Sequence, residues 1–246
     1  EITHTLDKRN IIEQTLDSMD LEREKGITIK LKSIRMEYQG YQLNLIDTPG
    51  HVDFSYEVSR SLEACEGAIL LVDKTQGIQA QTVSNFYKAT DSNLKIIPVI
   101  NKIDLDTGDI EKIKKDMCQT FGFEDNEILC VSGKNGEGVE ELLEKIVEVV
   151  PSPTGKKDSP TRALVFDSSY DEYLGVVANV KVVDGNFKIE KNKKIKFMAT
   201  GATASPEEAG YTKIKRVRTD TLMTGEVGYI ATGLKDIHTV KVGDTV

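Results

Sequence analysis

Several things are scarce or missing in this 246-residue sequence. Three cysteines, Cys65, Cys118 and Cys130, are an odd number and too scattered for a disulfide framework, and their spacing is not that of a metal site. Reduced thiols in a cytosol-like compartment are expected. No run approaches the roughly 18 apolar residues that a membrane-spanning helix needs. The opening EITHTLDKRNIIEQ is polar and charged, unlike a secretory signal. There is no internal repeat and no low-complexity tract. With 39% hydrophobic and 29% charged residues, a disordered chain, a collagen and a coiled-coil rod are excluded. The net charge of −8 rules out attraction to nucleic acid by bulk charge, so any such contact needs a local basic patch. Acids and bases nearly cancel from Asp158 onward, so the acidic surplus lies before it.

This length suits two domains. Residues 28–38 and 41–46 read as a hairpin around Gln39-Gly40. Apolar, β-branched runs at 68–73, 95–100 and 127–131 read as parallel strands covered on both faces. Helical patterns at 55–65, 79–91, 109–121 and 138–149 alternate with them; in the last, Val139, Leu142, Leu143, Ile146 and Val150 recur at helical spacing. The alternation predicts a doubly wound α/β domain over 1–153. PSPTGKKDSP, at 151–160, ends the last helix. Short strands at 161–167, 175–183, 193–198, 211–218, 226–231 and 240–246 then predict a small β-barrel over 160–246.

Chemistry concentrates in segments that follow strands. Asp47-Thr48-Pro49-Gly50-His51 follows 41–46, Asn101-Lys102-Ile103-Asp104 follows 95–100, and Ser132-Gly133-Lys134 follows 127–131; Gly26-Ile27-Thr28 opens the first long strand. Doubly wound sheets bind ligands at the carboxyl ends of their strands. The residue types suit guanine nucleotide. The Asp104 carboxylate accepts two hydrogen bonds, from guanine N1–H and its exocyclic amine, a pair adenine does not offer. Asn101 braces the loop and reaches the N7 edge, Lys102 lays its stem along the base, and the turn at Ser132, Gly133 and Lys134 offers a backbone N–H to O6. Asp47 suits a magnesium-bound water, Gly50 N–H the γ-phosphate, and Thr28 a direct bond to magnesium. His51 is placed to orient an attacking water. GTP or GDP and Mg2+ are the expected cofactors.

A glycine-rich phosphate loop, G-x-x-x-x-G-K-[ST], would normally accompany these segments, and it is absent. The chain also lacks an initial Met and ends on Gly-Asp-Thr-Val inside a predicted strand. A piece of a longer chain is expected, with its first strand and phosphate loop before Glu1. The expected fold class is α/β: an N-terminally truncated P-loop-type GTPase domain followed by a small β-barrel.

The runs MDLEREKGITIK, LIDTPGHVDFSYEVSRSLEACEGAILLVD, GIQAQT and VINKIDL resemble the ribosome-associated translational GTPases. SYEVSRSLEACEGA, QAQTVSNFYKA, FDSSYDEYLGVVANVKVVDG and GEVGYIATGLKDIHTVKVGDTV narrow the resemblance to the LepA (elongation factor 4) family, away from TypA/BipA and EF-G. The resemblance covers essentially the whole chain but only part of such a protein. It implies ribosome-triggered GTP hydrolysis, linked to back-translocation, fidelity or ribosome assembly. By the same resemblance, Thr28 matches the magnesium-binding switch threonine, Ile27 the hydrophobic gate, and Asp47 and Gly50 the second switch. His51 matches the catalytic histidine, Asn101, Lys102 and Asp104 the guanine motif, and Ser132 to Lys134 the SAK motif with Gly133 for Ala. Implied partners are ribosomal RNA and proteins of both subunits and tRNA-bearing ribosomal complexes. A monomer in the cytoplasm or an organellar matrix is implied, with at most peripheral membrane association. The stretch Lys188, Lys191, Lys193, Lys194 and Lys196 reads either as an RNA-phosphate contact or as a solvated hairpin. The alternative to an enzyme is a non-hydrolysing, ribosome-docking module.

Overall fold

The computed structural model describes residues 2–3, 22, 24, 28–50, 54–190 and 193–246. Of the expected site residues, Ile27 and His51 lie outside them, as does Lys191. The chain forms two compact units, one from residues 1–49 with 152–246 and the other from 50–151.

The 50–151 unit is built on parallel strands β3 (Gly67–Asp73), β4 (Lys95–Asn101) and β5 (Leu129–Cys130), in that order. The hairpin strands that precede them are β1 (Lys32–Tyr38) and β2 (Tyr41–Asp47). Helices α1 (Ser55–Leu62), α2 (Ala80–Asp91), α3 (Ile110–Phe121) and α4 (Val139–Val149) cover the sheet. Successive side chains of a strand face opposite ways, and β4 uses both faces. Ile96 packs with Val58, Leu62 and Ala89, and Ile100 with Val72, Ile113 and Met117. Ile97 and Val99 pack instead with Leu142 and Ile146 of α4. Helix ends follow local chemistry. The Asp109 carboxylate accepts from Lys112 N–H at the start of α3, and Gly122, at φ 77°, ends it. The helix pattern at 55–65 yields α1 only to Leu62, and the strand read at 127–131 shrinks to β5 because residues 125–127 form a 3-10 turn.

The other unit joins the β1–β2 hairpin to the barrel. Lys32 pairs with Asp47 and Tyr38 with Tyr41, and Gln39 and Gly40 turn at φ 48° and 80°, the two positive angles a tight hairpin needs. The barrel strands are β6 (Arg162–Asp171), β7 (Gly175–Asp184), β8 (Phe187–Lys188), β9 (Ile195–Lys196), β10 (Thr203–Ala204), β11 (Glu208–Thr212), β12 (Arg216–Arg218), β13 (Thr221–Leu222) and β14 (Val227–Ala231). The main sheet runs β12-β11-β14-β7-β6, and β8 pairs with β13 and β9 with β10. Alternate residues Val176, Ala178, Val180 and Val182 of β7 enter a core with Phe197, Leu222 and Ile230. The expected strand 211–218 is instead a hairpin turning at Lys213-Ile214-Lys215. Residues 240–246 form no long strand, yet Ala163 and Val246 exchange backbone bonds of 2.9 and 2.8 Å, which seats the segment along β6.

The hairpin is latched to the barrel by Arg35 of β1. This side chain is buried, its guanidinium lies 3.8 Å from the Tyr211 ring centre, and it pairs with Glu226 at 3.3 Å. By packing, the hairpin clusters with the barrel, and the later division, between Pro151 and Ser152, falls at the proline-rich stretch.

Candidate functional site

Parallel pairing brings the carboxyl ends of β3, β4 and β5 to one edge of their sheet. Asp73 is the register partner of Asn101. Lys102 takes φ 65°, which turns the chain sharply off β4. A left-handed lysine is uncommon, and two bonds hold it. Asn101 Oδ1 accepts from Lys102 N–H at 2.7 Å, and Lys102 Nζ pairs with Asp73 at 2.8 Å. Its stem stays exposed.

Asn101 Oδ1 also accepts from Gly133 N–H at 3.0 Å, tying the loop after β4 to the turn after β5. Ser132 is fully buried and donates from its hydroxyl to Asp104 Oδ1 at 2.6 Å. The same hydroxyl accepts from Asn135 N–H at 3.3 Å. Asn101, Lys102, Asp104, Ser132 and Gly133 thus form one network, with Lys134 exposed on the same turn. A methyl group at Gly133 would sit 3.7 Å from Asn101, an ordinary contact, so alanine would fit there too.

Electrostatics favour the ionised form of the two carboxylates. The Ser132 hydrogen bond holds the Asp104 carboxyl below the usual carboxylate range, against some burial and with help from Lys134 and Lys74. Asp73 is held low as well: burial works against its charge, but the bonds from Lys102 and Thr75 outweigh it. The arrangement is a half-buried acceptor carboxylate, braced by the Ser132 hydroxyl, beside turns rich in backbone N–H. A carboxylate has about four lone-pair positions, so Asp104 retains capacity for a planar donor pair.

Thr28, Asp47 and Gly50 are placed differently. Thr28 and Asp47 belong to the hairpin unit; Asp47 ends β2, opposite Lys32. Glu22 organises the approach to β1. Its buried carboxylate accepts from Ile29 and Lys30 N–H, both at 3.0 Å, and pairs with Lys32 Nζ at 3.0 Å. Gly50 begins the other unit, and a Cβ there would meet no atom of the described residues within 4 Å. Three contributors escaped the motif reading: Glu22, Asp73 and Lys74. For Asp73 a signal was available, because a parallel partner strand must end beside Asn101.

The pattern of the elongation factor Tu GTP binding domain family matches residues 1–152. Elongation factor 4 of Dehalococcoides mccartyi strain BAV1 is 54% identical over the whole chain, which covers 41% of that protein. Elongation factor 4 of Fusobacterium nucleatum is 51% identical, and that of Staphylococcus aureus strain N315 48%, again over the whole chain and 41% of each relative. A crystal structure of a bacterial selenocysteine-specific elongation factor, EF-Sec, superposes with a TM-score of 0.73 at 23% identity, covering 93% of this chain and 40% of the other. A crystal structure of a Thermus thermophilus protein reaches 0.79 at 18% identity, covering 99% and 50%. These two likenesses bear on the fold. The chain belongs to the elongation factor Tu GTP binding domain family, and along its full length it is similar to about two fifths of elongation factor 4.

Proposed function

We propose that this chain is the GTP-binding domain and adjoining β-barrel of a ribosome-dependent translational GTPase of the elongation factor 4 type. The observation that carries the reading is the bonded set Asn101, Asp104, Ser132 and Gly133 at the ends of β4 and β5. It suits guanine: the half-buried, charged Asp104 keeps acceptor capacity for N1–H and the 2-amino group, and the exposed Lys102 would lay its stem along the base face. Backbone N–H of the 132–134 turn suits O6.

The oxygens of Thr28 and Asp47 are the hard donors Mg2+ prefers, and they leave room for waters in its shell. When bound, Mg2+ would neutralise phosphate charge. Thr28 would hold it directly, Asp47 through a water, and Gly50 N–H would face the γ-phosphate with no side chain in the way. His51 would orient the water that attacks the γ-phosphate, with Ile27 serving as an apolar gate.

The partners in this reading are the ribosome, through its RNA and proteins, and ribosomal complexes carrying tRNA. A monomeric cytoplasmic factor, at most peripheral to membranes, accords with it; no helix among the described residues is long and apolar enough to cross a bilayer. The second reading, a non-hydrolysing ribosome-docking module, draws on the absence of a G-x-x-x-x-G-K-[ST] segment from the sequence.

Calorimetric titration with GDP and XDP in Mg2+ tests the proposal on the chain and on Asp104→Asn. The expected result is a preference for GDP that Asp104→Asn transfers toward XDP, since an acceptor pair becomes a donor and an acceptor. Retained GDP preference in the variant would refute the base-reading role. Binding of neither nucleotide by this chain or by one extended upstream of Glu1 would favour the docking module.

A further inference from the structure

Lys74 directly follows β3 and is only 9% exposed. A lysine ordinarily keeps its ammonium in water while burying its stem. Here Nζ is turned inward and donates to the Leu105 carbonyl at 2.5 Å. The backbone N–H of Lys74 donates to the Asn101 carbonyl at 3.0 Å. Its own carbonyl lies 2.2 Å from where a Cβ on Gly108 would fall, and Gly108 has φ 94°, so two separate constraints demand glycine there. The loop 101–108 is therefore folded around Lys74 and fixed to it at its beginning, middle and end. Asp104 sits next to the middle attachment. Two further backbone bonds hold this loop, Ile103 N–H to the Val131 carbonyl at 3.3 Å and Leu105 N–H to the Lys102 carbonyl at 3.1 Å. The ammonium is thus the charged donor that braces the loop from inside.

We propose that Lys74 is a positioning residue for the base-reading carboxylate: through the Leu105 carbonyl it sets the depth at which the 101–108 loop presents Asp104, and so tunes selectivity for a base bearing a 2-amino group. The inference rests on the guanine reading of Asp104. The Lys74 charge also lies close enough to favour the ionised Asp104, after the larger effect of Ser132.

The test compares the parent chain with Lys74→Met, which keeps the stem and loses the donor, and Lys74→Arg, which restores a charged donor. Lys74→Gln replaces the Met variant if that one fails to fold. Two quantities are read: hydrogen exchange at the Ile103 and Leu105 amides, and the ratio of GDP to IDP affinity, IDP lacking the 2-amino group. Loss of one charge-assisted hydrogen bond corresponds to roughly tenfold. Lys74→Met is expected to speed exchange at both amides by about that factor and to lower the GDP/IDP ratio similarly, with β4 exchange unchanged and both effects reversed in Lys74→Arg. A purely structural role would lower both affinities in step and leave their ratio fixed, which would overturn the proposal, as would unchanged loop exchange or failure of Arg to rescue. If neither the parent chain nor one extended upstream of Glu1 binds either nucleotide, the guanine reading alone falls. Faster exchange in Lys74→Met then still supports the dependence of the loop on Lys74, and unchanged exchange overturns it.

Discussion

Asp104 depends on its neighbours more than on its own chemistry. The Ser132 hydroxyl is the main reason its carboxyl ionises below the usual range. A group whose pKa is depressed by folding contributes above its ordinary value, and the contribution disappears as pH falls through the lowered one. GDP binding should therefore persist below the ordinary carboxylate pKa. Ser132→Ala should raise the Asp104 pKa toward that ordinary value and move the acid loss of GDP affinity to higher pH, as titrations over a pH series would register. An acid limb that does not move would mean that another group governs it. Asn101, Asp104 and Ser132 were legible in the sequence because the chemistry of base recognition restricts both residue type and position. Lys74 was not, because nothing in Val-Asp-Lys-Thr reveals that the ammonium turns inward; that depends on the neighbouring strand ending beside it.

Elements were legible where periodicity and turn chemistry agreed. The β1–β2 hairpin followed from Gln39-Gly40, and α3 and α4 from their apolar spacing. The β11–β12 hairpin was missed because basic and apolar residues keep alternating through Lys213-Ile214-Lys215, and the tip contains no Gly, Pro, Asn or Asp. Lys213 N–H nonetheless bonds to the Lys215 carbonyl at 3.1 Å across that tip. The packing of β1 on the barrel was equally hidden, since Arg35 looks like an outward residue of an alternating strand. Its burial against Tyr211 and Glu226 makes it a fastening between elements. Removing one partner of a largely buried charge pair costs roughly 3–5 kcal/mol, and the ring contact adds about 0.5–2 kcal/mol. Partial exposure of Glu226 discounts this, so Arg35→Met should destabilise the hairpin-and-barrel unit by about 2–4 kcal/mol. Chemical denaturation followed by Tyr fluorescence would measure it, and a loss under about 1 kcal/mol would show the latch to be ornamental.

At the scale of the whole molecule, the chain leaves one unit at Pro49, completes the other, and returns at Ser152. The 50–151 unit is thus inserted between the two halves of its companion. While it is unfolded, the hairpin and the barrel are joined by a long floppy loop, and bringing them together carries a closure entropy that grows as about (3/2)RT ln n. Once it is folded, most of that loop is already ordered and less closure entropy remains to be lost. Each unit therefore steadies the other through connectivity alone. Met117→Ala, which empties a fully buried position beneath Ile100, should cost its own unit about 2–5 kcal/mol. It should also lower the unfolding midpoint of the barrel, which contains none of the altered contacts, and hydrogen exchange in β7 and β14 would report that shift. An unmoved barrel would mean that its two halves find each other regardless of the inserted unit. Seen as a folding problem, the order of events matters: the inserted unit lies wholly within one stretch of chain and can close early, whereas its host must wait for residues separated by that entire insertion.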